Sequence, residues 1–321
     1  MSAPTPTLPQ ETLAEVDRIS RHYGSIEAVK EVSFSIRRGE VLGFLGPNGA
    51  GKTTTMQILS GNLAPSSGSV RIAGHDLLED ARAAKRVLGY LPEQPPVYRD
   101  LTVDEYLDYC AALHDIARTG RKQARETAKE KCGLADVGRR LIGNLSKGFQ
   151  QRVGIAQAII HLPALVILDE PTVGLDPIQI REIRALIREL GKEHGVILST
   201  HILPEVQATC GHVQIIHKGE LVLNDSIDGL TRRMKSAVLT ASFRRAPEMR
   251  VLEAVPGVRS VESNGENRVR IVIAGDTDPT ETIVKLAVER DWGLCEIVPE
   301  RASLEQIFVE LTTADPSEQK S

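Results

Sequence analysis

Gly46-Pro47-Asn48-Gly49-Ala50-Gly51-Lys52-Thr53, continued by Thr54, is the stretch that decides the fold. Before it, Glu40 to Leu45 reads as a short buried strand. After it, Thr53 to Leu59 opens a helix. Strand, glycine loop and helix in that order form a phosphate cradle. Glycines let the backbone curl until its N–H groups point inward at phosphate oxygens. The helix start adds the positive end of its dipole. Lys52 brings a charge to the outer phosphates, and the Thr53 hydroxyl suits Mg²⁺. A nucleoside triphosphate, ATP, with Mg²⁺ is the expected ligand pair.

Working outward, short apolar runs alternate with helical patterns from Leu13 to about Leu223. Ala28 to Ile36 alternates like a half-buried strand. Ala164 to Leu168 is continuously apolar, as in a parallel strand covered on both faces. Ile178 to Leu190 has amphipathic helical spacing. Val196 to Ser199 and Val213 to His217 read as further strands. The alternation predicts an α/β domain with a mostly parallel sheet. Residues 100–160 carry no strand signal. Thr102, with Glu105 three residues on, predicts a capping box and a helical insertion. The charged stretch Arg118 to Lys131 fits a solvated helix face, or a phospholipid-facing patch.

Beyond residue 235 the pattern changes. Strands are expected at Ala237–Phe243, Val258–Glu262, Arg268–Ala274 and Cys295–Val298. Helices are expected at Pro247–Ala254 and Thr280–Glu289. The order β-α-β-β-α-β predicts a ferredoxin-like domain. A final helix is expected over Leu304–Leu311. Domain limits are expected at 1–12 for a flexible leader, 13–230 for the nucleotide domain, 235–312 for the accessory domain and 313–321 for a disordered tail. The helical subdomain is expected at about 97–160.

A second motif is Leu165-Val166-Ile167-Leu168-Asp169-Glu170, an apolar strand delivering two acids at its carboxyl end. Ligands sit at that end in α/β sheets. Asp169 could hold Mg²⁺ and Glu170 could take a proton from an attacking water. Alone, such a pair also fits a helix cap. The glycine loop upstream favours the chemical reading.

The third motif is Leu145-Ser146-Lys147-Gly148-Phe149-Gln150-Gln151-Arg152. It resembles the signature loop of ATP-binding cassette (ABC) proteins, usually Leu-Ser-Gly-Gly-Gln, and the resemblance covers about residues 13–230. Lys147 and Phe149 depart from the usual form. That resemblance implies a P-loop NTPase cassette: a mostly parallel core, an antiparallel β part and a helical subdomain. It implies that Ser146 and Gly148 grip ATP held by a second copy. Gln94, in Leu91-Pro92-Glu93-Gln94, matches the Q-loop that touches Mg²⁺ and water. Gly174-Leu175-Asp176-Pro177 matches the D-loop, which crosses the dimer interface. His201 matches the switch histidine, and Tyr23 the aromatic that stacks on adenine. Tyr90 to Tyr98, Leu101-Thr102-Val103 and the ending Ser303-Leu304-Glu305-Gln306-Ile307-Phe308 resemble ATPases of ABC-2-type exporters. The implied activity is ATP hydrolysis that powers a separate membrane permease, with export favoured over import. The implied partners are a second copy and the permease chain, and the implied location is cytoplasmic, at the inner membrane face.

Composition fits. In 321 residues, 41% are hydrophobic, enough for a large core and a smaller one. A net charge of -4 and 3% aromatics disfavour nucleic-acid binding. Cys110, Cys132, Cys210 and Cys295 form no Cys-x-x-Cys pair and fit reduced thiols. The opening MSAPTPTLPQ lacks the features of a signal peptide. No apolar run reaches the ~18 residues of a membrane span. A soluble ABC ATPase of DNA repair or translation is the alternative, and a non-hydrolysing scaffold a third; Glu170 and His201 together argue against the latter.

Overall fold

The computed structural model describes residues 11–233, 238–265, 267–274 and 278–299. The chain divides into two compact units, the first running to Ile227 and the second starting at Asp228.

The first unit opens with a long hairpin, β1 (Thr12–Tyr23) and β2 (Ile26–Arg37), followed by β3 (Val41–Leu45). The glycine loop leads into α1 (Lys52–Leu59). Then come β4 (Ser67–Ile72), β5 (His75–Asp76), α2 (Ala81–Arg86) and β6 (Leu88–Leu91). Three helices follow: α3 (Val103–Leu113), α4 (Arg118–Lys131) and α5 (Lys147–Ile159). The core resumes with β7 (Leu165–Asp169), α6 (Pro177–Leu190), β8 (Gly195–Thr200), α7 (Leu203–Thr209), β9 (His212–His217) and β10 (Glu220–Ser226).

These strands make two sheets. One is antiparallel, in the order β2-β1-β4-β5. The other runs β10-β9-β3-β8-β7-β6, parallel throughout except for β10 on its edge. Every residue of β3, β7 and β8 is buried, which is why these segments read as continuous apolar runs. Ile19, Val29, Phe44, Ile58, Ile167, Ile197 and Ile216 belong to one core that joins both sheets and α1. Register then positions the site. Leu45 lies beside Thr200 and Asp169 beside Ser199. The glycine loop, the Asp169–Glu170 pair and His201 therefore leave the sheet at one edge, the carboxyl ends of adjacent strands.

The helical insertion forms as expected. Thr102 caps α3, its hydroxyl accepting from Glu105 N–H while the Glu105 carboxylate accepts from Thr102 N–H. The charged stretch of α4 is not wholly solvated. Lys129 is buried and donates to Asp104 at 2.6 Å, and Arg125 reaches Asp108 at 2.8 Å. Both cations face α3 and tie the two helices together. Another departure is at the leader. Glu11 and Thr12 are already engaged, since Thr12 pairs with Arg37 and Glu11 accepts from Arg38. Backbone pairing thus begins before Leu13, and residues 1–10 of the expected leader lie outside the described residues.

At the boundary lies α8 (Ile227–Arg233). The second unit contains β11 (Val238–Phe243), α9 (Met249–Glu253), β12 (Val258–Ser263), β13 (Arg268–Ile273), α10 (Thr280–Glu289) and β14 (Leu294–Pro299). Its antiparallel sheet has the order β12-β13-β11-β14, the ferredoxin-like arrangement. It has its own core, in which the Phe243 and Trp292 rings meet edge-on at 5.9 Å. The expected helix over 304–311, the tail 313–321 and the stretch 303–308 lie outside the described residues. No helix among the described residues is long and apolar enough to cross a membrane.

Candidate active site

The glycine loop spans the turn from β3 into α1, and two of its glycines are required by close approach. A Cβ on Gly46 would sit 2.4 Å from the Ile216 carbonyl oxygen. A Cβ on Gly51 would sit 2.4 Å from the Ala28 carbonyl oxygen, and its φ of +109° is one that side chains rarely adopt. Ala50 is buried, and its carbonyl accepts from Gly219 N–H at 2.9 Å. The loop is thus wedged against the β9–β10 hairpin. Pro47 accepts from Ala50 N–H at 3.2 Å, closing the turn.

Lys52 folds back over this loop. Its Nζ donates to the Gly46 carbonyl at 2.9 Å and the Pro47 carbonyl at 3.3 Å, and stands 3.7 Å from Glu170. Burial lowers its pKa, against the opposing pull of Glu170 and Asp169. Glu170 follows β7 with a left-handed φ of 48°, and its N–H donates to the Ser199 carbonyl. Its two carboxylate oxygens lie 2.9 and 3.0 Å from His201 Nδ1. An acid in a left-handed backbone conformation, held by a histidine and beside a phosphate-loop lysine, could accept a proton.

Asp169 sits beneath, at the end of β7. It is 1% exposed, and neither carboxylate oxygen meets a hydrogen-bond partner. Burial raises its pKa, opposed by the neighbouring Ser199 hydroxyl and the Lys52 charge and reinforced by the Glu170 and Glu93 charges. The same burial, with Asp169 nearby, pushes the Tyr90 hydroxyl up to about 12. A buried carboxylate without a partner is costly unless a cation joins it. Asp169, Glu170 and Glu93 against Lys52 leave the ligand-free site with an excess of negative charge. This donor set fits Mg²⁺ arriving with a nucleotide. No cluster of three His, Cys, Asp or Glu side chains among the described residues could hold a metal alone.

Beside these groups is a cleft of about 360 Å³, whose wall does not include Asp169, Gly46, Pro47 or Ala50. Of the residues expected from sequence, Asn48, Gly49, Gly51, Lys52, Thr53, Thr54, Glu170 and His201 line it. Sequence reasoning missed three others, Ala28, Glu93 and Val173. Glu93 is the neighbour of Gln94. Gln94 is exposed on the segment after β6 and is not on the cleft wall. Tyr23, at the end of β1, is also off the wall, 45% exposed and stacked under Arg21 at 5.0 Å.

The remaining expected residues form a separate group. Ser146 caps α5, accepting from Phe149 N–H. Gly148 packs where a Cβ would meet the Gln179 side chain at 2.6 Å. Asp176 caps α6, accepting from Ile178 and Gln179 N–H at 2.9 Å each. The α5 and α6 starts thus adjoin each other and do not line the chain's own cleft. A larger hollow of about 600 Å³ lies at the opposite edge of the sheet, by the first residues of β3 and β9, and contains none of these residues.

The sequence profile of the ABC transporter family matches residues 29–173. The bacitracin transport ATP-binding protein BcrA of Bacillus licheniformis is 34% identical over 302 residues, 94% of this chain and 97% of that protein. A solved ATP-binding subunit of an ABC transporter is 31% identical and superposes with a TM-score of 0.63 over 69% of this chain and 93% of its own. CbiO1 of Clostridium perfringens, part of the ABC transporter complex cbiONQ, is 27% identical with the same TM-score, over 69% of this chain and 91% of its own. This chain belongs to the ABC transporter family, as an ATP-binding subunit with ATPase activity.

Proposed function

We propose that Mg-ATP is bound in the cleft above β3, β7 and β8 and hydrolysed there, in a site that a second copy of the chain completes. The supporting observation is the convergence of Lys52, Glu170 and His201 over an unpartnered Asp169. Backbone N–H groups of the glycine loop and the start of α1 would hold the phosphates. Lys52 would exchange the Gly46 and Pro47 carbonyls for phosphate oxygens. Asp169 and the Thr53 hydroxyl would hold Mg²⁺, which supplies neutralisation of phosphate charge. Glu170 would accept the proton of a water attacking the terminal phosphorus, as the bond to ADP breaks. His201 would fix the Glu170 carboxylate and contact the terminal phosphate. Gln94, exposed beside Glu93, would reach the site by moving inward, and Tyr23 would offer its ring to adenine.

Ser146, Gly148 and Asp176 are set apart from the cleft, which supports a role toward ATP on a facing copy. Nucleotide would then join two subunits, and hydrolysis would release them. Membership among ABC ATP-binding subunits, which work with separate permease components, supports a separate permease chain as the partner. Bound to that permease, the chain would work at the cytoplasmic membrane face. Likeness to BcrA and to ABC-2-type motifs supports export. The test is Glu170→Gln. Turnover is expected to fall more than tenfold with ATP binding retained; wild-type turnover would remove Glu170 as the base. Native protein is expected to co-purify from detergent with a polytopic membrane chain, and recovery only as a soluble nucleic-acid complex would contradict the transport role.

A further inference from the structure

Behind the cleft lies a second acid that the reaction does not use. Glu205, in the first turn of α7, is 1% exposed. One carboxylate oxygen accepts from the Thr172 hydroxyl and the other from the Thr200 hydroxyl at 3.0 Å. Arg184 of α6 approaches it at 3.8 Å. Thr200 Oγ1 in turn accepts from Ile202 N–H at 3.1 Å.

The two threonines flank the catalytic pair. Thr172 is two residues after Glu170, and Thr200 immediately precedes His201. With Glu170 meeting His201, the contacts close into a ring: Glu170, Thr172, Glu205, Thr200, His201. The ring's one direct backbone strut is Glu170 N–H to the Ser199 carbonyl. Burying a carboxylate is costly, and apolar residues of equal volume would often be as stable. A carboxylate accepts from both hydroxyls at once, which fixes both segments relative to each other.

We propose that Glu205 is a positioning residue that clasps the segment after β7 to the end of β8, so that Glu170 and His201 act as one unit. The segment from Thr172 to Asp176 leads to the group that faces the second copy. Displacement of that segment on pairing would pass through Glu205 to His201. This deepens the reading of the site given above and rests on it.

The direct variant, Glu205→Gln, removes a buried charge, so threonine variants give the cleaner test. Thr172→Val and Thr200→Val preserve shape and remove one hydroxyl each. Each is expected to lower kcat about tenfold while KM for ATP stays within twofold, because the phosphate-binding loop is untouched. Thr172→Ser and Thr200→Ser are expected to restore kcat to within twofold of wild type. The double valine variant is expected to lose no more than the worse single one. The clasp is refuted if the valine variants turn over like wild type, if their losses multiply independently, if KM carries the effect, or if serine fails to rescue. It is equally refuted if kcat falls only in step with the folded fraction measured by thermal melting. An inactive wild-type protein would instead contradict the ATPase reading itself.

Discussion

At the scale of single residues, the site is built from groups that are poorly satisfied without ligand. Asp169 is the clearest, a buried carboxylate with no hydrogen-bond partner. Its pKa in the fold stands above its ordinary value. The folded state therefore holds its proton to higher pH than the unfolded chain does. For the ligand-free protein, this group favours folding at low pH and loses that contribution as pH rises through the raised value. Asp169→Asn is expected to raise the melting temperature of the ligand-free protein at neutral pH and to flatten this dependence. It should also cut hydrolysis roughly a hundredfold or more, by removing a charge that the transition state needs. A lower melting temperature, or unchanged turnover, would contradict the assignment. Gly46→Ala is a steric test. The added carbon would press on the Ile216 carbonyl, so ATP affinity in a binding titration should fall at least tenfold.

How much was legible also differs by residue. Lys52, Thr53, Glu170 and His201 were readable because their spacing is tied to strand ends, and the fold delivers them together. Glu93, Val173 and Ala28 were not. They enter the cleft by tertiary placement: Ala28 lies in an alternating strand pattern and Glu93 in a quoted motif, but neither pattern says that the residue faces the site. Glu205 was invisible for the same reason, since its partners Thr172 and Thr200 become neighbours only when β7 and β8 pair. An acid in a helix's first turn reads as an ordinary dipole partner.

At the scale of elements, the strongly patterned segments were legible and their edges less so. The continuous apolar runs at β3, β7 and β8 announced buried parallel strands, and the amphipathic spacing of α6 buries Ile183, Ile187 and Leu190. The burial of Lys129 within α4 was not legible, because a lysine amid charges looks solvated until the acids of α3 are placed opposite. The capping box of α3 is testable. Thr102→Ala removes the acceptor of Glu105 N–H and the donor to its carboxylate. A loss of about 1 kcal/mol in denaturant stability is expected, with KM for ATP unchanged. No stability loss would mean that the cap is satisfied by water.

At the scale of the whole molecule, two cores imply two responses. Ligand that binds only the folded nucleotide unit should stabilise that unit by about 2.7 kcal/mol at a hundred times its Kd. Calorimetry with Mg-ATP on Glu170→Gln should move the transition of the first unit and leave that of the second, whose core is separate. Equal shifts in both would show that the units melt as one. The split placement of the site residues makes a further demand on the whole molecule. With a cleft on one side and a capped signature helix away from it, the proposed reading has a second copy complete the site. Light scattering of Glu170→Gln decides this most directly. With Mg-ATP the account predicts a mass of twice 35.0 kDa, returning to a single mass with ADP, and no pairing when Ser146→Arg is added. A single-chain mass under all three conditions would contradict it.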